Sequence, residues 1–230
     1  MPRRPRMYLP GYPYHIVQRG NNRELCFFEE ENYAEYLNLL IDVLPRYGNA
    51  LHAYCLMSNH VHLLITPSAA DGISSLMRVV ASRYATYMNN RYSRSGTLWE
   101  GRHKASAVDS EVYLLKCYRY IELNPVAAGM VKRPEEYCWS SYGVNAWGDS
   151  NPAITPHPCY EELAAGQAER LKAYRELFAE SLSETDLNDF RRAAHYSMPI
   201  GSSRFVAQLE EKLGRAIGQA QPGRPRQRGG

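Results

Sequence analysis

The sequence of 230 residues lacks the cysteine patterns of zinc-binding and disulfide-rich proteins. Its five cysteines are odd in number and form no C-x-x-C pair, which argues against a zinc ribbon and against a disulfide framework. No apolar run reaches the length of a membrane span, and the amino terminus has arginines but no apolar signal-peptide core. We therefore expect a soluble, unsecreted, cytoplasmic protein that has no membrane partner.

The chain also lacks a large excess of either charge, because the formal net charge is only +3. Bulk charge therefore does not indicate nucleic-acid binding, and the distribution of the charges must decide. Arginines are concentrated at both ends of the chain, whereas residues 161–189 are mostly acidic. The hydrophobic content of 44% is ordinary for a globular protein with a full core.

Residues 57–66 (MSNHVHLLIT) have the alternation of a half-buried strand. His60 and His62 lie two apart, so they point to the same side, roughly 6.6 Å apart along the strand. The opposite face carries Val61, Leu63 and Ile65. Two neutral imidazoles can bind one divalent metal if a third ligand comes from elsewhere. A purely structural histidine pair is the alternative.

A second segment, residues 111–124, shows apolar residues at helical spacing and is stopped by Pro125. Tyr120 and Asn124 lie four residues apart and therefore share one face of this helix. A phenol that can act as a nucleophile and an amide oxygen that can bind a metal are thus side by side. The alternative is a tyrosine-rich helix that only packs.

The order of the remaining segments defines the fold class. The pattern predicts a strand over 14–19, a helix over 29–47, a hairpin of strands around Ser58 and Asn59, a helix after Asp71, and over 93–108 a loop that enters another strand. Together with the helix over 111–124, this order predicts an α+β protein with a ferredoxin-like, RRM-like antiparallel sheet and helices on one face.

Basic residues next to an aromatic residue suit single-stranded nucleic acid, because phosphates need cations and unstacked bases need a π-surface. Trp99, Arg102 and Lys104 provide such a set, and a packed tryptophan with solvated charges is the alternative. The polar turn after the first strand, with Asn22 and Arg23, is a further candidate for phosphate contact.

Four motifs in this order resemble the REP-associated tyrosine transposases, bacterial members of the single-tyrosine HUH transposases. The motifs are residues 60–64 (HVHLL), 94–102 (RSGTLWEGR), 118–126 (YRYIELNPV) and 138–142 (CWSSY). Two positions depart from the family pattern: Ser58 stands where proline is usual, and Ala127 stands where arginine is common.

The resemblance implies cleavage and rejoining of single-stranded DNA, with Tyr120 as the catalytic residue that forms a 5′-phosphotyrosine link. It also implies that His60, His62 and Asn124 bind Mg²⁺ or Mn²⁺, although imidazole and amide ligands suit manganese, cobalt or zinc better than magnesium. Lys116, one turn before Tyr120, could lower the phenol's pKa, hold a phosphate or simply be solvated. The candidate DNA-binding residues are Arg19, Asn22, Arg23, Arg83, Trp99, Arg102, Lys104, Lys116, Arg224 and Arg226.

The expected domain organisation has three parts: a catalytic domain over 1–148, a helical accessory region over 149–213 that starts with a proline-rich linker (148–158), and a basic disordered tail over 214–230. Arg224 and Arg226 lie in a Gly-Arg-Pro-Arg segment that resembles an AT-hook, with a solvated tail as the alternative. The expected partner is single-stranded DNA that folds into REP hairpins in the bacterial nucleoid, bound by a monomer or a homodimer. The rival functions are a catalytically silent DNA-binding regulator of the same fold and a phosphodiesterase that uses water.

Overall fold

A four-stranded antiparallel sheet organises the chain in the computed structural model, which describes residues 8–110 and 112–217. The strands follow the order β2-β3-β1-β4 and comprise β1 (Tyr14–Arg19), β2 (Asn49–Met57), β3 (His60–Pro67) and β4 (Lys104–Ala107). All strand pairs are antiparallel, and the helices pack on the sheet as separate layers. The structure thus confirms the α+β class and the antiparallel sheet.

The register of the sheet places the two histidines over the middle strands. β2 and β3 form a tight hairpin in which Met57 lies opposite His60. On the other side of β3, Arg19 of β1 lies opposite His60 and Val17 lies opposite His62. Directly opposed residues of neighbouring strands point to the same face, and side chains alternate along each strand. Met57, Arg19 and Val17 therefore share one face of the sheet with the two histidines.

Two long helices cover the face opposite the histidines. They are α1 (Glu30–Val43) and α2 (Gly72–Arg91). Helical spacing after Asp71 predicts a buried stripe of seven apolar and aromatic residues in α2. Six are buried, and the seventh, Tyr87, is only half-buried; the buried members are Ile73, Leu76, Met77, Val80, Tyr84 and Met88. The helix α1 ends earlier than expected because Pro45 begins a short 3₁₀ turn, which Gly48 closes with a left-handed φ of 58°.

A second helical layer covers the histidine face, which the sequence did not predict. It contains α3 (Leu114–Glu122), followed by α4 (Asn124–Ala127), and α7 (Glu184–Tyr196). The prediction that the helices lie on one face therefore holds for α1 and α2 but is wrong for α3, α4 and α7. The second layer has a plain cause, since Ala53, Cys55 and Leu64 are apolar on the histidine face and are fully buried by it.

The carboxy-terminal extension is helical, as expected. Its remaining helices are α5 (Pro158–Glu161), α6 (Gln167–Glu176) and α8 (Ser203–Leu213). The sequence of this region predicts two or three helices, over about 160–181, 184–195 and 202–213. The first is divided into α5 and α6, whereas α7 and α8 lie where the other two are predicted. None of the helices that the structure describes is both long enough and apolar enough to cross a membrane.

The segment expected to be a free linker instead pairs with the sheet. The backbone N–H of Thr155 donates to the Leu51 carbonyl at 2.8 Å, and the His52 ring contacts the Thr155 carbonyl at 2.7 Å. At the opposite edge, the N–H of Ile200 donates to the Ala107 carbonyl at 2.8 Å. Residues beyond 148 are therefore built into the same folded unit as the sheet.

We predict that a chain shortened to residues 1–148 does not fold. The truncation removes Tyr174 and Phe190, which are both fully buried against the second helical layer. Losing one buried aromatic side chain costs about 3–5 kcal/mol, a large part of the roughly 5–15 kcal/mol that stabilises a typical domain. Thermal unfolding by circular dichroism should show no cooperative transition for 1–148 and a sharp one for 1–217. A cooperative transition of 1–148 near that of 1–217 would contradict this.

Candidate active site

The core of the site is the histidine pair of β3. His62 is buried, and its Nδ1 lies 2.8 Å from Nε2 of His15, a residue of β1, with the two rings stacked at 5.0 Å. The Nε2 atom of His62 is buried and has no hydrogen-bond partner. A buried nitrogen without a partner is costly, so this atom is available for a ligand.

His60 is held by the hairpin turn. Its Nδ1 lies 2.6 Å from Oδ1 of Asn59, and the Asn59 amide donates to the Arg23 carbonyl at 3.1 Å. Because an amide oxygen can only accept, the proton is on Nδ1 and the Nε2 lone pair of His60 stays free. Gly20 permits this close approach of turns, since a Cβ there would lie 2.3 Å from the Glu24 carbonyl oxygen.

Burial keeps the imidazoles neutral. It lowers the pKa of His60 to about 4, that of His15 to about 3 and that of His62 well below its usual value. The neutral ring is the form that binds metals. Among the described residues, no three His, Cys, Asp or Glu side chains are grouped to hold an ion. Any metal here would therefore need an amide or substrate oxygen in addition.

Tyr120 reaches the histidines from α3. Its ring makes edge contacts with His15 at 5.7 Å and His62 at 5.9 Å, and it stacks on Phe190 of α7 at 4.8 Å. Burial raises the pKa of the Tyr120 phenol. The neighbouring Tyr118 is fully buried among Tyr160 and Tyr174 and does not line the cavity beside the histidines.

Asn124 begins α4 immediately after α3 has ended. Its Nδ2 donates to the Tyr120 carbonyl at 2.6 Å, which fixes the amide group and leaves its Oδ1 free. The shared face of Tyr120 and Asn124 thus survives the break between the two helices.

One cavity of about 570 Å³, here called the histidine cavity, unites these groups. It is lined by His60, His62, Tyr120 and Asn124, and also by five cations and one carboxylate: Arg19, Arg23, Arg102, Lys104, Arg191 and Glu100. Four of these cations were predicted from the sequence. Their excess over the single carboxylate makes the cavity suited to phosphate.

Three predicted DNA-binding residues lie elsewhere. Trp99 packs in the core against α1 and α2, is only 9% exposed and donates its indole N–H to the Ala81 carbonyl at 3.0 Å, so it is no stacking surface. Arg83 is paired with Asp42 on the outside of α1 and α2, at 2.8 Å. Lys116 is paired with Asp186 at 2.8 Å, so its charge is already neutralised.

Three further predicted residues are Asn22, Arg224 and Arg226. Asn22 is exposed in the turn next to Arg23, in a left-handed conformation with φ of 52°. Arg224 and Arg226 lie outside the residues that the structure describes.

Several residues of the site were not found from the sequence. His15 shares strand parity with Arg19, so the alternation of β1 could have indicated it once β1 was placed beside β3. Asn59 lies within residues 57–66, but the strand pattern of that segment indicates no role for it. Arg191 and His195 carry no sequence signal, because only the docking of α7 brings them to the histidine cavity.

Glu122 connects the motif over residues 118–126, in which it lies, with the motif over residues 138–142. This fully buried carboxylate accepts hydrogen bonds from the Ser141 hydroxyl at 2.5 Å, the Asn145 amide at 2.8 Å and the Tyr174 hydroxyl at 2.7 Å. Burial raises its pKa to about 7. The position of α3, and with it of Tyr120 and Asn124, depends on this network.

Comparison with known proteins places the chain in a family. The profile described as "Transposase IS200 like" matches residues 9–124, just over half of the chain, and ends at the amide of the site. The chain belongs to the IS200-like transposase family. A search of curated proteins finds no match.

Among solved structures, the chain is similar to a REP-associated tyrosine transposase bound to a REP hairpin. The TM-score is 0.55 at 19% identity, covering 68% of this chain and 93% of that chain, which shows a shared fold. Two weaker similarities carry no argument. They are a candidate transposase from Deinococcus radiodurans R1 (TM-score 0.38, 24% identity, 52% of this chain and 95% of that chain) and a bacterial tRNA(His) guanylyltransferase-like protein with GTP (0.37, 12%, 55% and 71%).

We predict that Glu122→Ala is strongly destabilising. The change removes the acceptor of the Tyr174 hydroxyl, leaves the Ser141 hydroxyl and the Asn145 amide with only their longer bonds to backbone carbonyls at 3.3 Å, and opens a cavity, which together should cost about 3 kcal/mol or more. Glu122→Gln keeps one acceptor oxygen and should cost clearly less. Chemical denaturation measures both, with Glu176→Ala as the control, because Glu176 is exposed and, within the described part of the chain, has a single ion pair that is long, at 3.9 Å. Equal midpoints for Glu122→Ala and the control would refute the role of the network.

Proposed function

We propose that this protein is a REP-associated tyrosine transposase that cleaves and rejoins single-stranded DNA through Tyr120. The observation that carries the proposal is the histidine cavity, which unites His60, His62, Tyr120 and Asn124 among unpaired cations. Family membership and the fold shared with a hairpin-bound transposase support it. The substrate class is therefore hairpin-forming single-stranded DNA.

The chemistry follows from the phenol. The Tyr120 oxygen attacks the phosphorus, a P–O bond to tyrosine forms, and the bond to the 3′-oxygen breaks. The phenol proton is balanced by the proton gained by the leaving 3′-hydroxyl, so no other reactant is needed. A phenolate is a better leaving group than an alkoxide, so the 5′-phosphotyrosine link stays open to attack by a new 3′-hydroxyl.

The donors present fit a divalent metal ion, Mg²⁺ or Mn²⁺. The Nε2 atoms of His60 and His62 and the Oδ1 of Asn124 have no hydrogen bond to any described residue, whereas the other side-chain polar atoms of these residues are engaged. Such a cation, when bound, polarises the phosphate and stabilises the leaving oxygen. These three residues would hold it, and His15 and Asn59 would fix the two rings in the tautomer that ligates.

The cations of the histidine cavity have a separate role. Arg19, Arg23, Arg102 and Lys104 have no carboxylate within 4 Å among the described residues, so they are free to bind the backbone phosphates on either side of the attacked one. Positive charge without strong base-specific groups is suited to positioning the strand rather than to reading its sequence.

We predict that Tyr120→Phe abolishes covalent attachment to DNA while hairpin binding survives. The matched control is Tyr118→Phe, which removes a hydroxyl two residues away that is buried outside the histidine cavity. Each variant is incubated with a labelled hairpin oligonucleotide and Mn²⁺, and the denaturant-resistant adduct is measured. Adduct formation by Tyr120→Phe would refute the assignment. Binding without any adduct in the wild type would favour the silent regulator.

We predict that His15→Leu weakens Mn²⁺ binding by about 10- to 100-fold, because it removes the partner that orients a ligating histidine. His15→Gln should restore most of the affinity, since its amide oxygen can accept the proton on Nδ1 of His62. Free Mn²⁺ is measured by electron paramagnetic resonance, without DNA. Thermal unfolding checks that each variant is folded. Undiminished Mn²⁺ affinity in folded His15→Leu would exclude this role.

A further inference from the structure

A second cavity, here called the extension pocket, lies on the other side of Tyr120. Its volume is about 720 Å³, within the range of small-molecule sites. Tyr120, Asn124 and Arg191 line both this pocket and the histidine cavity. The two cavities therefore adjoin at the phenol, and a strand bound in one can continue into the other.

The carboxy-terminal extension supplies the outer wall of this pocket. One wall comes from the end of α3 and from α4, and the facing wall comes from residues 175–191. The family profile ends at residue 124, so the facing wall lies beyond the part of the chain that it matches. Any selectivity that the pocket provides is a property of the extension.

The pocket has an apolar floor. Its apolar lining residues are Leu123, Val126, Tyr142, Phe178, Leu182 and Leu187. Two of them, Tyr142 and Phe178, are aromatic, and unstacked bases stack on aromatic rings, while the aliphatic side chains can pack against the rest of a base. Next to the pocket, the Arg175 guanidinium lies 4.3 Å over the ring of Trp147, which is 54% exposed, so a further π-surface is present there.

The charged lining of the pocket comprises four cations and two carboxylates, Glu135 and Glu180, so positive charge is in excess and suits the phosphate of a nucleotide. Lys132 and Arg191 line it and have no carboxylate within 4 Å among the described residues, whereas Arg133 is paired with Glu135 and Glu136. Arg191 lies at the junction with the histidine cavity, where a phosphate of the attacked strand would pass. An apolar floor with free cations favours a nucleotide over a peptide or an acyl chain.

We propose that the extension pocket binds an unpaired nucleotide adjacent to the phosphate that Tyr120 attacks, with its base on the apolar floor and its own phosphate at Arg191. This inference rests on the proposed function, because that function places the strand at Tyr120. The extension then selects the cleavage point by extruding one base of the strand.

The test blocks the pocket without touching the catalytic groups. Ala179 is exposed and lines the pocket, so Ala179→Trp fills it with a bulky ring, whereas Ala168→Trp puts the same ring on an exposed site of α6 outside it. The probe is a hairpin oligonucleotide with single-stranded arms that carry a fluorescent aminopurine base at one arm position at a time. Binding is followed in the Tyr120→Phe background, so cleavage is not required.

We expect one arm position at which binding changes the aminopurine fluorescence. Ala179→Trp should abolish that change and weaken binding by about 5- to 150-fold, the range for losing one stacked base, and Ala168→Trp should do neither. Arg191→Ala should weaken binding and Arg191→Lys should restore part of it, whereas Arg192→Ala, on the next residue of α7, should have no effect.

The outcomes separate the two proposals. Aminopurine signals that Ala179→Trp leaves unchanged overturn the pocket assignment, even if the wild type forms the covalent adduct. A signal that Ala179→Trp abolishes supports the pocket, even if no adduct forms and the proposed cleavage fails. Absence of both signal and adduct overturns both.

Discussion

The buried carboxylate of Glu122 is the interaction on which the site depends. It receives three hydrogen bonds from two segments that are distant in sequence, residues 141–145 and α6, and it lies on the chain midway between the phenol and the amide that face the histidines. A charged or polar group buried this deeply is tolerated only when it is fully paired. Through the Tyr174 hydroxyl, this network fixes α3, which carries Tyr120, to α6 of the carboxy-terminal extension. The geometry of the site therefore depends on the packing of the carboxy-terminal helices.

Local patterns predicted most of the elements and the central residues of the site. Strict alternation placed His60 and His62 on one face, and four-residue spacing placed Tyr120 beside Asn124, because these relations depend only on strand and helix geometry. The sequence could not show that Trp99 is buried, since a tryptophan among arginines looks the same whether it stacks on DNA or donates to the Ala81 carbonyl. Arg191 was equally hidden, because it depends on how a distant helix docks.

The charge distribution explains why a nearly neutral chain can belong to a family that handles DNA. Arg83 and Lys116, two cations away from the histidines, are paired with carboxylates. The cations around the histidines come from β1, β4, the turn after β1, the loop before β4 and α7, and they face only one carboxylate. Positive potential is thereby concentrated in one concave region of the described part of the chain.

Both margins of the sheet already have backbone partners. Along β2, residues 139–141 and Thr155 hydrogen-bond to the strand, and at β4 the segment around Ile200 does so. An open strand edge is the usual template for β-augmentation and for aggregation between copies. The β2 margin is covered at four of its residues and the β4 margin at its last residue, Ala107. Two copies could extend one continuous sheet across β2 only by first displacing their own segments, so the strands that carry the histidines are protected from that side.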